Sequence, residues 1–196
     1  MNFYCIIYKP FNVLSQFTSQ EGKQTLKNFF AVPTDVYAVG RLDYDSEGLL
    51  ILTNDKKLNH ALLNPDHQHK REYWVQIDGS ITNEAISQLQ NGVNISIDGK
   101  IHATKKCTAT IFETAPAVPG RNPPVRFRKN IPTSWIKIIL TEGKNRQVRK
   151  MTAAVGFPTL RLIRHRVEQC TLEGLAPGEM KTFGQKEIYQ LLALNK

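Results

Sequence analysis

The chain has 196 residues, of which 41% are hydrophobic and 22% are charged, and its formal net charge is +9. This composition is that of a globular protein, and the length predicts one domain, or two small lobes that share a core. No apolar stretch approaches the roughly 20 residues of a membrane-spanning helix, and the N-terminal residues do not resemble a secretory signal. The three cysteines are scattered, which favours reduced thiols.

In the first half of the chain, β-branched and aromatic runs bounded by turn residues predict strands. The predicted strands are Phe3–Tyr8, Val36–Val39, the buried Leu49–Thr53 and Tyr73–Ile77. Apolar residues at helical spacing after a capping side chain predict helices. The predicted helices are Thr25–Phe30, one that is capped by Asn54 or Asp55 and ends before Pro65, and Asn83–Gln90, which is capped by Thr82.

The second half of the chain predicts more strands than helices. Two β-like segments, Val93–Ile97 and Lys106–Phe112, flank the hairpin signal Asp98-Gly99. Residues 115–134 hold five prolines and several arginines, which predicts a long irregular segment. The remaining predicted elements are strands at Trp135–Leu140 and Leu160–Val167, the latter with one dry and one positive face, and helices at Arg146–Val155 and Lys186–Leu194. Strands in runs with isolated helices predict an α+β fold, with a mostly antiparallel mixed sheet and flanking helices.

The positive charge lies in the C-terminal part of the chain. Residues 1–116 carry 11 basic and 12 acidic residues, whereas residues 117–196 carry 15 basic and 5 acidic residues, a net charge of +10. An asymmetric positive field favours a polyanionic partner, because each neutralised phosphate releases condensed counterions. Charge alone leaves open a basic protein that has no such partner.

A short polar loop with a central carboxylate is the first candidate for chemistry. Gly40 and Gly48 bracket this loop, and the predicted buried strand follows it. Such a loop can project the carboxylate of Asp43 from a rigid base, as a nucleophile or general base requires. Arg41 would help to keep Asp43 ionised, because an opposite charge lowers the pKa of a carboxylate. From the residues alone, a solvated acidic turn stays an open interpretation.

Several segments, in the same order along the chain, resemble the motifs of the RsuA-type pseudouridine synthases. The signature loop of that family is matched by Gly40-Arg41-Leu42-Asp43 and by the following Ser46–Asn54. The other matching segments are Asn12–Phe17 after the pair Lys9-Pro10, Arg71–Val75, Leu140–Met151 and Phe157–Arg164. Arg71 stands where the family usually has Lys, and Lys150 replaces one Arg.

This resemblance implies roles for three residues. Asp43 falls on the essential catalytic carboxylate of the family, Tyr73 on the ring that stacks on the target base, and Arg146 on the basic partner of the carboxylate. The resemblance also implies the pseudouridine synthase catalytic fold as a single domain of residues 1–196, or as two lobes around a central RNA-binding cleft, without an S4 domain. The resemblance implies the isomerisation of a uridine to pseudouridine. No cofactor and no metal is expected, because this isomerisation involves no redox chemistry.

The resemblance further implies residues that contact the RNA substrate. These residues are Arg41, Arg71, Asn145, Gln147, Arg149, Lys150, Arg161 and Arg164. Read without the family, the cations at 146–150 could be only the solvated face of a helix. The irregular segment 115–134 is a candidate for substrate-specific contacts. The lack of an S4 domain and the segments Arg121–Arg126 and Ile131–Trp135 most resemble the RluE branch, which modifies 23S ribosomal RNA. We therefore expect a monomeric cytoplasmic enzyme with 23S ribosomal RNA as its partner and no membrane association.

Two other classes of protein share some of these features. A non-catalytic ribosomal RNA-binding or ribosome-assembly protein on the same scaffold would keep the basic half but would lose the set of Asp43, Tyr73 and Arg146. A protein–protein module could instead use the proline-rich segment to bind an SH3-like partner. RNA binding is steeply salt-dependent, whereas such a proline-rich contact is not, so salt dependence distinguishes the two.

Overall fold

A computed structural model of the protein describes residues 2–126, 129 and 131–194. In chain order, the strands are β1 (Tyr4–Lys9), β2 (Val13–Leu14), β3 (Gln24–Thr25), β4 (Tyr37–Ala38), β5 (Glu47–Thr53), β6 (Arg71–Asp78), β7 (Asn94–Ile97), β8 (Lys100–Ala103), β9 (Thr108–Ile111), β10 (Thr133–Leu140), β11 (Thr159–Val167), β12 (Cys170–Thr171) and β13 (Met180–Thr182). The helices are α1 (Lys56–Leu63), α2 (Asn83–Asn91), α3 (Gln147–Ala154) and α4 (Gln185–Leu191). The expected α+β fold with a mixed sheet is therefore confirmed.

The chain divides into two compact units. Unit 1 combines the chain up to His69 with the chain from Ile163 onward, and unit 2 is Lys70–Leu162. Strand β11 consequently begins in unit 2 and ends in unit 1. Within the part of the chain that the structure describes, no helix is long and apolar enough to cross a membrane.

Unit 1 is built on strands in the order β13-β1-β5-β11. Strand β1 pairs antiparallel with β13 and β5, while β5 pairs parallel with β11. Every residue of β5 is buried, as its nearly continuous apolar sequence predicts. Its side chains Leu50 and Leu52 join Cys5 and Ile7 of β1 in the core of this unit.

Gly48 allows β5 and β11 to approach closely. Its φ angle is +114°, a conformation that side-chain-bearing residues rarely adopt. A Cβ atom at this position would lie 2.7 Å from the backbone nitrogen of Arg164 and would also meet its carbonyl oxygen. The second glycine of the polar loop is therefore needed for strand pairing, just after the loop ends.

Asp55, one of the two capping residues that the sequence predicts, caps α1 and also binds two tyrosines. Its carboxylate accepts hydrogen bonds from the backbone N–H groups of Lys57 at 2.9 Å and Leu58 at 3.2 Å. The hydroxyl groups of Tyr4 and Tyr189 each donate to Asp55 Oδ2 at 2.8 Å. One carboxylate thus ties α1 to β1 and to α4.

Unit 2 contains the antiparallel strands β6-β10-β9, the hairpin β7–β8 and helices α2 and α3. Alternate residues of β6 and β10, including Val75, Ile77, Ile136 and Ile138, point into one core. Helix α2 begins after Thr82, whose side chain accepts from the backbone of Ala85 at 3.3 Å, so the predicted cap is confirmed.

The Asp98-Gly99 hairpin is confirmed, but the predicted partner strand is wrong. Asp98-Gly99 joins β7 to β8, with Ile97 opposite Lys100. The segment that was expected to be the partner forms β9 and pairs with β10 instead. The sequence of β8 gave no signal because the strand lacks alternation, and its single large apolar side chain, Ile101, is 80% exposed.

Two other predictions about elements are wrong, and a third is confirmed only over the described residues. The predicted helix Thr25–Phe30 is only a 3-10 turn over Leu26–Asn28. The predicted positive face of β11 is wrong, because Arg161 and Arg164 are only 6% and 7% exposed. The irregular segment is confirmed over its described residues up to β10, whereas its Arg128 lies outside the described residues.

Candidate active site

Asp43 lies half-buried in the turn between β4 and β5 of unit 1. Its carbonyl oxygen accepts from the backbone of Ser46 at 3.1 Å, which closes the turn. The preceding residue, Leu42, is held by the buried hydroxyl of Ser15 in two directions. Ser15 Oγ donates to the carbonyl of Leu42 at 2.8 Å and accepts from its N–H at 3.0 Å. The backbone that leads into Asp43 is therefore fixed on both sides of one residue.

Lys9 places a buried amino group near this loop. Its side chain is completely buried, and Nζ donates to the carbonyl oxygens of Pro10 at 2.9 Å and Val13 at 2.8 Å. Burial lowers the pKa of Lys9 to about 7. The charged groups around it are the carboxylates of Glu47, Asp45 and Asp43, which oppose this shift, and the guanidinium of Arg164, which adds to it.

The two arginines of unit 1 that were predicted to bind RNA differ in exposure. Arg41 is exposed and lies two residues before Asp43 in the chain. Arg164 is buried, and its Nε donates to the carbonyl oxygen of Leu49 at 2.8 Å. Arg164 therefore helps to join β11 to β5, in addition to its electrostatic effect on Lys9.

In unit 2, the two predicted site residues of β6 lie near the start of the strand. Tyr73 is 9% exposed and packs in the core of the unit. Arg71 pairs with Leu140, the last residue of β10. The loop that carries Asn145 thus starts at the same end of the strand pair as Arg71.

Arg146 ends this loop in an unusual backbone conformation. Its φ and ψ angles are +53° and +31°, in the left-handed region, and it is the N-cap residue of α3. For a residue other than glycine, this conformation costs about 1–2 kcal/mol, so surrounding contacts must hold it. The side chains of Arg146 and Asn145 are exposed, whereas Arg149 and Lys150 on the first turns of α3 are half-buried.

Gln147 is one of three predicted RNA contacts that are buried, together with Arg161 and Arg164. It is only 3% exposed, and its amide Nε2 donates to Glu142 Oε1 at 2.7 Å. Its Oε1 accepts from the backbone of Lys144 at 2.9 Å. Both polar atoms of the amide are therefore bonded inside the protein.

Sequence reasoning assigned no role to Lys9, Ser15 or Glu142, although each lies in or beside a motif. A lysine at the end of an apolar strand resembles a solvated strand end. The turn from Pro10 to Val13, which brings two carbonyl oxygens to Lys9 Nζ, is a feature of the tertiary structure. Glu142 likewise gains its partners only when the chain folds back upon it.

Known proteins resemble this chain over most of its length. Residues 3–154 match the family described as RNA pseudouridylate synthase. The chain is 48% identical over 176 residues to ribosomal large subunit pseudouridine synthase E of Vibrio parahaemolyticus, covering 90% of this chain and 71% of the relative. It is also 48% identical over 174 residues to the protein of that name from Xanthomonas axonopodis pv. citri, covering 88% and 89%.

A solved structure shows the same fold. A crystal structure of a pseudouridylate synthase superposes with a TM-score of 0.79 at 24% identity, over 97% of this chain and 74% of that one. This chain belongs to the RNA pseudouridylate synthase family. The resemblance to the RsuA-type enzymes, and within them to the RluE branch, is thereby confirmed.

Proposed function

We propose that this protein isomerises one uridine of large-subunit (23S) ribosomal RNA to pseudouridine, with Asp43 as the catalytic carboxylate. The observation that carries the proposal is the catalytic loop itself, in which Ser15 holds Leu42 from both sides and presents Asp43 at the start of a fully buried strand. The names and high identity of the relatives support ribosomal RNA as the substrate.

The proposed reaction needs no added reactant. The N1–C1′ bond of the uridine breaks, a C5–C1′ bond forms, the proton on C5 leaves and N1 gains a proton, so atoms and electrons balance. A uracil in folded RNA must first be extruded and held by stacking. Tyr73 would provide the ring and would help to remove the proton from C5. Arg146 would orient Asp43, since a guanidinium fork matches a carboxylate.

Asp43 could act in either of two ways. It could add covalently to the sugar or to the ring, or it could abstract a proton from the sugar. Both routes require an ionised carboxylate at this position. Replacing Asp43 with Asn keeps the shape of the side chain but removes its basicity, so both routes predict the loss of the reaction.

We propose that RNA contacts come from four exposed or half-buried cations of the site and from one exposed amide. These residues are Arg41, Arg71, Asn145, Arg149 and Lys150. Arg161 and Arg164 are buried, so their charge would act on phosphates over a longer distance. The irregular segment 115–134 remains our candidate for contacts that select the target site.

We further propose that residues 1–196 act as one catalytic domain, as a monomer in the cytoplasm. The three cysteines support a reducing compartment, because Cys5 and Cys170 are buried and all three are free thiols. Burial raises the pKa of both thiols to about 12, which makes them unreactive.

The test compares the wild type with Asp43→Asn on 23S ribosomal RNA from a strain that lacks this gene. Pseudouridine would be mapped by carbodiimide labelling and primer extension, and RNA affinity would be measured in parallel. We expect one new site with the wild type and none with Asp43→Asn, at equal affinity. Asp98→Asn is a matched control, because it removes the same charge in an exposed turn of unit 2 where asparagine tolerates the φ of +49°.

A non-catalytic RNA-binding or assembly protein would give a different result. Both proteins would then bind the RNA equally and neither would form pseudouridine. That outcome would reject the proposed reaction and would leave the motifs as an inherited scaffold.

A further inference from the structure

A ring of hydrogen bonds closes the loop that precedes α3. Glu142 and Gln147 bond to each other through Gln147 Nε2 and Glu142 Oε1 at 2.7 Å. Gln147 also bonds twice to Lys144: its Oε1 accepts from the backbone N–H at 2.9 Å, and its own N–H donates to the carbonyl at 3.1 Å. We call Glu142 and Gln147 the bracket.

Arg146 sits between the two members of the bracket. Its left-handed conformation is disfavoured for arginine, and such strained residues persist only where neighbouring contacts determine them. The two bonds between Gln147 and Lys144 fix the chain on both sides of Asn145 and Arg146. Since these bonds span the strained residue, they contribute to holding its backbone in this conformation.

The bracket is also anchored from outside the loop. Glu142 Oε1 accepts a second bond, from the backbone N–H of Lys105 at 2.8 Å. Its Oε2 lies 3.3 Å from His102 Nε2, on strand β8. The carboxylate is therefore immobilised by the chain just after the β7–β8 hairpin, so the loop cannot move without breaking several bonds.

We propose that Glu142 and Gln147 are positioning residues that hold Arg146 in the conformation required by the reaction. This inference rests on the proposed function, in which Arg146 is the partner of the catalytic carboxylate. It also gives Gln147 a role different from RNA contact, because its amide is buried and both of its polar atoms are already bonded.

Isosteric variants of the two bracket residues are expected to differ in their effect on activity. Glu142→Gln leaves an oxygen in the place of Oε1, so it can still accept from Gln147 and Lys105 and should keep most of the activity. Gln147→Glu instead opposes two acceptors across 2.7 Å and should break the bracket. We expect Gln147→Glu and Gln147→Ala to lower the single-turnover rate by about 10- to 100-fold, as small misplacements of catalytic groups do.

Coupling to Arg146 separates positioning from general stability. In an Arg146→Ala background, Gln147→Ala should have little further effect on the rate, because the two residues act through one group. If Gln147 only stabilised the fold, its effect on the rate would be the same in both backgrounds. RNA affinity, measured in an Asp43→Asn background, should not change with Gln147→Ala; a large loss would assign Gln147 to RNA binding and overturn the proposal.

Gln90→Ala is the matched control. Gln90 Nε2 donates to the carbonyl of Ala109 at 2.8 Å, so this variant removes a comparable bond elsewhere in unit 2. It should lower thermal stability less than Gln147→Ala does, because the Gln90 side chain is exposed, and it should leave the rate unchanged. An equal loss of rate from both variants would reject the positioning role.

Hydrogen exchange gives a readout that does not depend on activity. The amide of Lys144 donates to Gln147 Oε1, so it should exchange faster in Gln147→Ala. Faster exchange with an unchanged rate of pseudouridine formation would overturn the positioning role while confirming the bracket. If the wild type forms no pseudouridine at all, the proposed function fails, and unchanged exchange at Lys144 would reject the bracket separately.

Discussion

Lys9 is a buried lysine that binds its proton less tightly in the folded protein than in the unfolded chain. Its pKa in the folded protein is about 7, against an ordinary value of 10.5. Above pH 7, the unfolded chain therefore holds a proton that the folded chain has released, so the free energy of unfolding should rise with pH. A difference of one between the folded and unfolded pKa corresponds to about 1.4 kcal/mol in the free energy of unfolding. Urea unfolding at several values between about pH 7 and pH 8.5 measures this slope.

Two variants isolate the contribution of Lys9. Lys9→Met retains a long side chain but cannot titrate, so its stability should rise less steeply with pH than that of the wild type. Lys27→Met removes an exposed lysine from the same unit and should keep the wild-type slope. If the free energy of unfolding rose equally with pH in the wild type and in Lys9→Met, Lys9 would keep its proton on folding.

At the residue scale, the sequence indicated positions better than it indicated partners. Asp43 and Arg146 were assigned to the site through motifs, because a motif can be recognised without any knowledge of the fold, and these assignments stay predictions. Lys9 and Glu142 could not be assigned, because their roles depend on carbonyl and amide groups that only folding brings near them. Gln147 was predicted to contact RNA because the motif does not reveal that its side chain is buried, which depends on tertiary structure.

At the level of elements, the Asp55 carboxylate connects three of them and its pKa responds to those bonds. Burial alone would raise the pKa of Asp55, but hydrogen bonds from Tyr189, Tyr4 and two backbone amides hold it below the usual value. Tyr189→Phe removes one of these bonds, and we expect it to lower the free energy of unfolding by about 1–2 kcal/mol at neutral pH.

The pH dependence of this loss follows from the sign of the shift. A lowered pKa gives stability that is present above the ordinary pKa of aspartate and is lost as the pH falls through the folded value. The difference in the free energy of unfolding between the wild type and Tyr189→Phe should therefore become smaller in acid, as measured by urea unfolding. Tyr37→Phe, which removes a hydroxyl of unit 1 that does not bond to Asp55, is the control. A difference that stays constant down to low pH would show that the bond does not depend on an ionised carboxylate.

Elements with strong local signals were predicted correctly, and elements that depend on distant partners were not. Strand β5 has a continuous apolar run, α1 has Asp55 as its cap, and α2 has Thr82 at its start and Gly92, with φ of +93°, at its end. Strand β8 exists because β7 offers it a partner, not because its own residues favour a strand. The burial of the arginines in β11 similarly depends on neighbouring strands.

For the whole molecule, the two units differ in charge in a way that the linear sequence obscures. Unit 1 has 11 basic and 11 acidic residues, whereas unit 2 has 15 basic and 6 acidic residues. The entire net charge of +9 therefore belongs to unit 2, although the sequence divides most simply between an acidic N-terminal part and a basic C-terminal part. Since phosphates dominate the affinity for RNA, unit 2 is expected to provide most of the binding energy.

Salt dependence tests this division of charge. The logarithm of the affinity of the wild type for RNA should fall linearly with the logarithm of the salt concentration. Replacing Arg149 and Lys150 with Gln should reduce the slope of this line by about one for each phosphate contact that is lost. Replacing Lys56 and Lys57 with Gln removes two exposed charges from α1 of unit 1 and should leave the slope unchanged. All measurements would use an Asp43→Asn background, so that binding is separated from the reaction. An equal reduction from both pairs would mean that RNA also lies against α1, and that the net charge of unit 2 does not determine where RNA binds.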